Sequence, residues 1–420
     1  MDTSLLPAAI PALNGRRLLL GVTGSIAAYK AADLASRLTQ AGALVDVVLT
    51  EAARRFVTPL TFSSVTGRRA YTDDDLWGPE AHVLHVGLGH DADLILIAPA
   101  TAHTLAKLAG GQANDLLGLA ALASRAPLVL APAMDAGMFA HPATQANLEM
   151  LRQRGATVVG PAEGRMASGL VGPGRMVEPA ELVGHIRLVL GRGRNLAGRR
   201  VLVTAGGTHE AIDPVRVIAN RSSGKQGFAL AQAALDRGAI VTLISGPSAL
   251  ATPIGAERVD VETAEAMQGE VQARLETTDV LLMAAAVADF RPSRPSEDKI
   301  KRAGGAIDVH LEPTSDILGM VADRRKQSGG LKVVVGFAAE SRDLVGQARR
   351  KVKSKGLDLI VANDISAPDA GFAVDTNRVT FVDASESVQE LPLMSKADVA
   401  EAVLERVERL VGAQPPSAVS

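Results

Sequence analysis

Short apolar runs recur along the chain, and each gives way to a longer stretch whose apolar positions return every three or four residues. In the first half, residues 16–22, 44–49, 94–98, 128–130 and 157–159 read as strands, separated by helical stretches such as 101–108 and 142–154 and closed by 178–190. Strands alternating with helices in this way imply a mostly parallel, doubly wound sheet. A second series begins at residues 201–204, where the strand enters a turn at Gly206 and Gly207 and then a helix over 228–237. It continues with strands at 240–245, 280–288, 332–337 and 377–383 and helices at 264–276, 342–355 and 395–411. Residues 191–198, rich in Gly and Arg, read as a linker and put the boundary near residue 195. The expected architecture is α/β, with two doubly wound, Rossmann-like domains over residues 1–194 and 195–420, both with mainly parallel sheets. Residues 414–420 read as a frayed tail.

Composition narrows the picture. At 420 residues the chain is too long for one ordinary core, in keeping with two domains. A net charge of −2 supplies no bulk attraction to nucleic acid or an anionic membrane, so any cationic site must be local. Without cysteine there are no disulfides, thiolate metal sites or cysteine nucleophiles. No apolar run reaches the roughly 20 residues that span a bilayer, and residues 1–15 lack the basic start of a signal peptide, so the expected location is cytoplasmic.

Candidate chemistry gathers at the strand ends. In residues 21–30 the dinucleotide pattern Gly-x-Gly-x-x-Gly is missing; Gly24 and Ser25 at the start of a helix suit a single phosphate, as in a mononucleotide. A plain tight turn with an N-cap serine is the alternative. Doubly wound sheets place their sites at the C-terminal ends of the strands, which brings Thr50, Pro99, Ala100, Thr101 and the run Pro132 to Asp135 around one crevice. His82, His85 and His90 have no acidic partner at metal-binding spacing; a half-buried histidine is the ordinary reading, and His85 is the candidate general base. In the second half, the loop from Asn220 to Lys225 is dense in hydrogen-bond donors. Asp289 precedes a cationic run at 298–302, and Lys351 and Lys355 share a helical face. Each lysine pair alone fits a solvated surface; together with an aspartate they match what a nucleoside triphosphate with Mg2+ requires.

Taken in order, Gly21-Val-Thr-Gly-Ser-Ile-Ala-Ala-Tyr-Lys30, Ala98-Pro-Ala-Thr-Ala102, Gly111-Gln-Ala-Asn-Asp-Leu-Leu117 and Pro132-Ala-Met134, followed by Asn220-Arg-Ser-Ser-Gly-Lys-Gln-Gly227, Ala284-Ala-Ala-Val-Ala-Asp289, Lys299-Ile-Lys301, Gly336-Phe-Ala-Ala-Glu340 and Ala362-Asn-Asp364, carry a family resemblance. From about residue 16 to about residue 411 the chain resembles the bifunctional phosphopantothenoylcysteine decarboxylase/phosphopantothenate-cysteine ligases of coenzyme A synthesis. The resemblance implies a flavoprotein-like first domain holding FMN through Gly24, Ser25, Thr50, Ala100 and Thr101. It makes His85 the base for the cysteinyl thiol, and Met134 and Asp135 neighbours of the substrate. For the second domain it implies CTP and Mg2+, with Asp289 at the nucleotide or its metal. Lys299, Lys351 and Lys355 would neutralise phosphates, while Pro313, Thr314, Ser315, Asp316 and Phe337 would border the nucleotide. Asn220, with Arg216 nearby, would hold the activated 4'-phosphopantothenate until cysteine displaces CMP. Trimeric decarboxylase and dimeric ligase contacts are implied as well. The chain departs from the family at Asp135, where the family commonly has Asn, and at Ser168, where it typically has a flap cysteine that helps reduce the intermediate. A hydroxyl is a far weaker acid than a thiol and lacks its redox chemistry, so the expectation is that decarboxylation survives with an altered proton source for the reductive step. Those departures leave room for a related flavin-dependent decarboxylase of another thiol acid, and the fold alone leaves room for a non-catalytic flavoprotein. An NAD dehydrogenase, although Glu51 follows the second strand, lacks its fingerprint.

Overall fold

The computed structural model describes residues 10–78, 81–166, 169–302, 307–328, 330–340, 343–364 and 376–412, and forms two compact units, Met1–Leu190 and Gly191–Ser420. Ser168 and the tail 414–420 lie outside the described residues.

The first unit begins with β1 (Arg17–Val22), α1 (Ala28–Gln40), β2 (Leu44–Leu49), α2 (Pro59–Thr66) and β3 (Ala70–Tyr71). It continues through α3 (Ala81–His90), β4 (Leu94–Ala100), α4 (Ala102–Ala109), α5 (Leu116–Ala123) and β5 (Leu128–Pro132). Then come α6 (Ala136–Ala140), α7 (Pro142–Gln153), β6 (Thr157–Val158), a hairpin of β7 (Ala162–Arg165) and β8 (Val171–Arg175), and α8 (Pro179–Gly191). The sheet is parallel throughout, in the order β3-β2-β1-β4-β5-β6. Alternate residues of β1 explain the unbroken apolar run. Leu18, Leu20 and Val22 pack into one core with Leu34 and Leu38 of α1, whereas Leu19 joins Ile95, Ile97, Leu105 and Leu117 in a second core across the sheet. Each of these side chains is essentially fully buried, which withdraws on the order of 1.5–3 kcal/mol of apolar surface apiece from water.

The second unit repeats the winding. Its elements are β9 (Arg200–Ala205), the hairpin β10 (His209–Ala211) and β11 (Val217–Ala219), α9 (Lys225–Leu235), β12 (Ile240–Ser245), β13 (Glu257–Asp260), α10 (Ala264–Arg274) and β14 (Val280–Met283). A hairpin of β15 (Phe290–Pro292) and β16 (Leu311–Pro313) precedes α11 (Ile317–Ser328), β17 (Val333–Glu340), α12 (Leu344–Lys355) and β18 (Leu359–Asp364). β19 (Thr376–Asn377), β20 (Val379–Asp383), β21 (Val388–Glu390), β22 (Met394–Ser395) and α13 (Lys396–Gly412) complete it. The main sheet runs β13-β12-β9-β14-β17-β18-β20-β21, parallel except where β20 and β21 join antiparallel.

Several expectations are corrected by this arrangement. The strand read over 280–288 stops at Met283. Beyond it the amides of Ala285, Ala286 and Ala288 bond to Thr204 Oγ1, the Gly206 carbonyl and Thr208 Oγ1, so the chain leaves the ladder and becomes a site loop. The polar segment between Gly207 and the helix contains the β10–β11 hairpin, and α9 runs Lys225–Leu235 where the sequence suggested 228–237. The strand read over 377–383 is divided between β19 and β20. Ser25 is not the N-cap of α1: that position is Ala27, whose N–H donates to the Ser25 hydroxyl at 3.3 Å.

Candidate functional site

In both sheets the order of the strands reverses beside the first strand, between β1 and β4 and between β9 and β14, and a doubly wound fold opens its crevice at such a point. A buried threonine fastens the two lips each time. Thr23, just after β1, donates to the Pro99 carbonyl at 2.6 Å and accepts from the Thr101 N–H at 3.2 Å. Thr204, in β9, accepts from the Ala285 N–H at 3.2 Å.

In the first unit the crevice is built from the segments that sequence reasoning singled out. Gly24 sits so close to the next strand's loop that a Cβ would stand 2.4 Å from that of Ala52, so glycine lets these two loops meet. Thr50 closes the end of β2, its hydroxyl accepting from the Ala53 N–H at 3.3 Å. Ala100 ends β4, and Thr101 caps α4 by accepting from the Thr104 N–H. After β5, the Met134 N–H donates to the Gly174 carbonyl at 2.9 Å, tying the strand end to the β7–β8 hairpin. Asp135 turns its carboxylate to the backbone, accepting from the Gly137 N–H at 3.0 Å as the cap of α6. His85 lies on α3, and its Nδ1 is buried without a hydrogen-bond partner. Asp115, inside the Gly111–Leu117 segment, caps α5 through the Gly118 N–H and pairs with Lys107. Asp73 reinforces the same helix start by accepting from the Leu116 N–H. Burial and then the neighbouring Asp115 push the Asp73 carboxyl above its ordinary range, against the opposing pull of the Leu116 N–H.

In the second unit the loops converge on a cavity of about 830 Å3. Asn220, Asp289, Thr314, Ser315, Asp316, Phe337, Lys351 and Lys355 all line it. They come from the loop before α9, the loop after β14, the turn after β16, the strand β17 and the helix α12. Asn220 is oriented by donating from Nδ2 to the Val287 carbonyl at 2.9 Å, and Gly224 holds a left-handed φ of 76° that lets α9 begin at the cavity wall. The first turn of a helix presents unpaired N–H groups, a natural seat for an anion. Asp316 caps α11 through the Gly319 N–H at 2.9 Å and is ion-paired with Lys355. Burial pushes the Asp316 carboxyl up, but Lys355 and the Gly319 N–H outweigh it and hold it below the usual carboxylate range.

Three sequence candidates are placed elsewhere. Pro313 ends β16 beside the cavity without lining it, and Lys299 is exposed on the cationic loop between β15 and β16. Arg216 reaches the buried Asp213 at 3.2 Å and the Ile300 carbonyl at 3.2 Å, so it braces the loop that carries Lys299. Burial works against the charge on Asp213, yet the N–H groups of Val215, Ile300 and Arg216 hold its carboxyl below the ordinary range. No group of three metal-ligating side chains occurs among the described residues. Gln226 and Asn363 lie inside motifs the sequence offered but without a role, and Asn377 and Lys396 on the cavity wall were missed. Asn363 sits at the C-terminal end of β18, where a polar residue after an apolar run was the available signal.

Comparison with known proteins adds the family context. A family model described as Flavoprotein matches residues 11–191, and one described as DNA/pantothenate metabolism flavoprotein C-terminal domain matches residues 196–410. The chain is 44% identical over 401 residues to the Coenzyme A biosynthesis bifunctional protein CoaBC of Bacillus subtilis (strain 168), covering 95% of this chain and 98% of that one. With the protein of the same description from Vibrio cholerae serotype O1 it shares 46% over 396 residues, covering 93% and 98%. Among solved structures, the C-terminal domain of a Coenzyme A biosynthesis bifunctional protein CoaBC aligns with 53% of this chain and 100% of its own, at 36% identity and a TM-score of 0.45.

Proposed function

The chain belongs to the family of coenzyme A biosynthesis bifunctional proteins, and from that premise we propose that residues 195–420 ligate 4'-phosphopantothenate to cysteine with CTP, while residues 1–194 decarboxylate the product with bound FMN. The observation that carries the ligase reading is the single cavity into which five separate segments deliver an amide, two carboxylates, an aromatic ring and two lysines.

In the first ligase step a carboxylate oxygen of 4'-phosphopantothenate attacks the α-phosphorus of CTP, the bond to the β-phosphate breaks, and pyrophosphate leaves. Lys351 and Lys355 spread the charge that builds on the phosphoryl oxygens, a role for fixed cations in any phosphoryl transfer. An incoming phosphate competes with Asp316 for Lys355, and the resting ion pair keeps that lysine aimed. Thr314, Ser315 and Phe337 border the nucleotide, and Lys299 comes from the loop that Arg216 and Asp213 brace. With no resident metal cluster among the described residues, Mg2+ fits as an ion carried in on the triphosphate, with Asp289 as the adjacent carboxylate. In the second step the cysteine amine attacks the acyl carbon, the bond to CMP breaks, and the amine proton passes to solvent. Asn220 holds the acyl group through an amide that adds no charge.

In the first unit, the turn of Gly24 and Ser25 before α1 would take the phosphate of FMN, with Thr50, Ala100 and Thr101 along its rim. Bound flavin supplies the two-electron acceptor and donor that the thiol and its decarboxylated product require. The chain supplies position and protons. His85, whose buried Nδ1 has no partner, takes the thiol proton. Asp135 is directed to its own helix cap, which lessens repulsion between it and a substrate carboxylate. Feeding the purified protein phosphopantothenoylcysteine and weighing the products tests this half. We expect 4'-phosphopantetheine; accumulation of the oxidised enethiol alone would show that the reductive step fails with Ser168 in the flap.

A further inference from the structure

Two amide oxygens on the wall of the ligase cavity, Asn363 Oδ1 and Asn377 Oδ1, are buried and accept no hydrogen bond. A buried acceptor without a donor is costly, and such groups in folded proteins are few. Asn377 is only 5% exposed, and its orientation is fixed by its neighbours. Gln226 donates from Nε2 to the Lys396 carbonyl at 3.1 Å, which leaves its own oxygen to accept from Asn377 Nδ2 at 3.2 Å. The oxygen of Asn377 is therefore the end of that amide turned away from Gln226. Asn363 stands on β18, opposite Val379 at the start of β20 and two residues along from Asn377. The terminal amide torsion of asparagine is soft, so the Asn363 oxygen can turn onto a ligand donor at little cost, while that of Asn377 is held in place by Gln226.

We propose that Asn363 and Asn377 receive the amine of the amino-acid co-substrate and position it for attack on the activated acyl group. This rests on the ligase reading given above. Three observations favour an amine over the phosphate and carboxylate groups that the cavity would hold. Phosphates and carboxylates carry no donor at neutral pH and cannot satisfy these oxygens. Asn377 is linked through Gln226 to the first turn of α9, continuous with the Asn220 loop that holds the acyl group, whereas Asp316 and Lys355 belong to the turn after β16 and to α12. The acceptors are also neutral. A carboxylate in their place would favour the protonated ammonium, which has no lone pair, while an amide oxygen holds an amine in either state.

The test uses the full-length protein with substitutions Asn363→Leu, which is close in volume, and Asn363→Ser, which is smaller and keeps a polar atom. Two readouts separate the half-reactions: the pyrophosphate burst from 4'-phosphopantothenate and CTP without cysteine, and the steady-state KM for cysteine with both other substrates saturating. The expected result is a burst and a KM for CTP within about twofold of the parent, with the KM for cysteine raised about tenfold or more in the leucine variant, the scale of one lost hydrogen bond to an amine. A smaller rise is expected for serine. An unchanged KM for cysteine in both variants would overturn the proposal. So would a raised KM for CTP with a diminished burst, because the oxygens would then be serving the nucleotide. Absence of any burst from the parent protein would instead bring down the ligase reading itself.

Discussion

At the residue scale, two aspartates with opposite shifts make the electrostatics of each unit testable. The carboxyl of Asp316 is held below its unfolded value, so its contribution to stability is present above about pH 4 and is lost as the pH falls through the folded value. Asp316→Asn should lower the unfolding temperature at pH 7, and the deficit should shrink toward zero below that window; the side chain is about half exposed, so the effect should stay below about 1 kcal/mol. Asp73 runs the other way. Its folded carboxyl is raised, the folded state binds its proton more tightly, and stability falls as the pH climbs from about 4 through the folded value. Asp73→Asn keeps an acceptor for the Leu116 N–H, so it should match the parent in acid and become relatively more stable above the window. Thermal unfolding across pH 3–8 checks both signs; two curves moving in the same direction would contradict the assignments.

At the scale of elements, the threonines at the two switch points hold the site loops. Replacing Thr204 by Val keeps the shape and leaves the Ala285 N–H without its acceptor; Thr23→Val leaves the Thr101 N–H without its acceptor and the Pro99 carbonyl without its donor. Each should cost about 1–3 kcal/mol, read as a lower denaturation midpoint. Thr204→Val should also weaken nucleotide binding, and Thr23→Val flavin retention. This is also where the sequence was least legible. Runs such as Leu18–Val22 and Leu94–Ile97 announce buried parallel strands because both faces are covered, and the winding follows from their alternation with helices. The run from Val280 to Ala288 is just as apolar, yet it leaves the sheet after Met283, because its amides are claimed by Thr204 of β9 and by Gly206 and Thr208 just beyond it, some 80 residues earlier. No local pattern announces such a partner. The cationic and glycine-bearing motifs pointed to most of the cavity lining, since lysines and glycines at strand ends stand out; Asn363 was legible only as part of the Ala362–Asp364 motif, with no role, and Asn377 not at all, since single asparagines resemble ordinary turn residues.

At the scale of the whole molecule, two windings of one fold carry two chemistries on successive forms of one metabolite, so the halves should be separable by substitution. Lys351→Ala, on the ligase cavity, should slow pyrophosphate release by a hundredfold or more on the scale of other removed phosphate-stabilising groups, about 3 kcal/mol, while leaving decarboxylation of supplied phosphopantothenoylcysteine unchanged. His85→Asn should do the reverse, cutting decarboxylation by about 10²–10⁴-fold with flavin still bound. The most direct measurement of the central claim is a mass-spectrometric account of one reaction, in which the purified full-length protein is given 4'-phosphopantothenate, cysteine and CTP. The account predicts yellow protein and 4'-phosphopantetheine formed with equal amounts of CMP, pyrophosphate and CO2; colourless folded protein that leaves CTP unconsumed would contradict it.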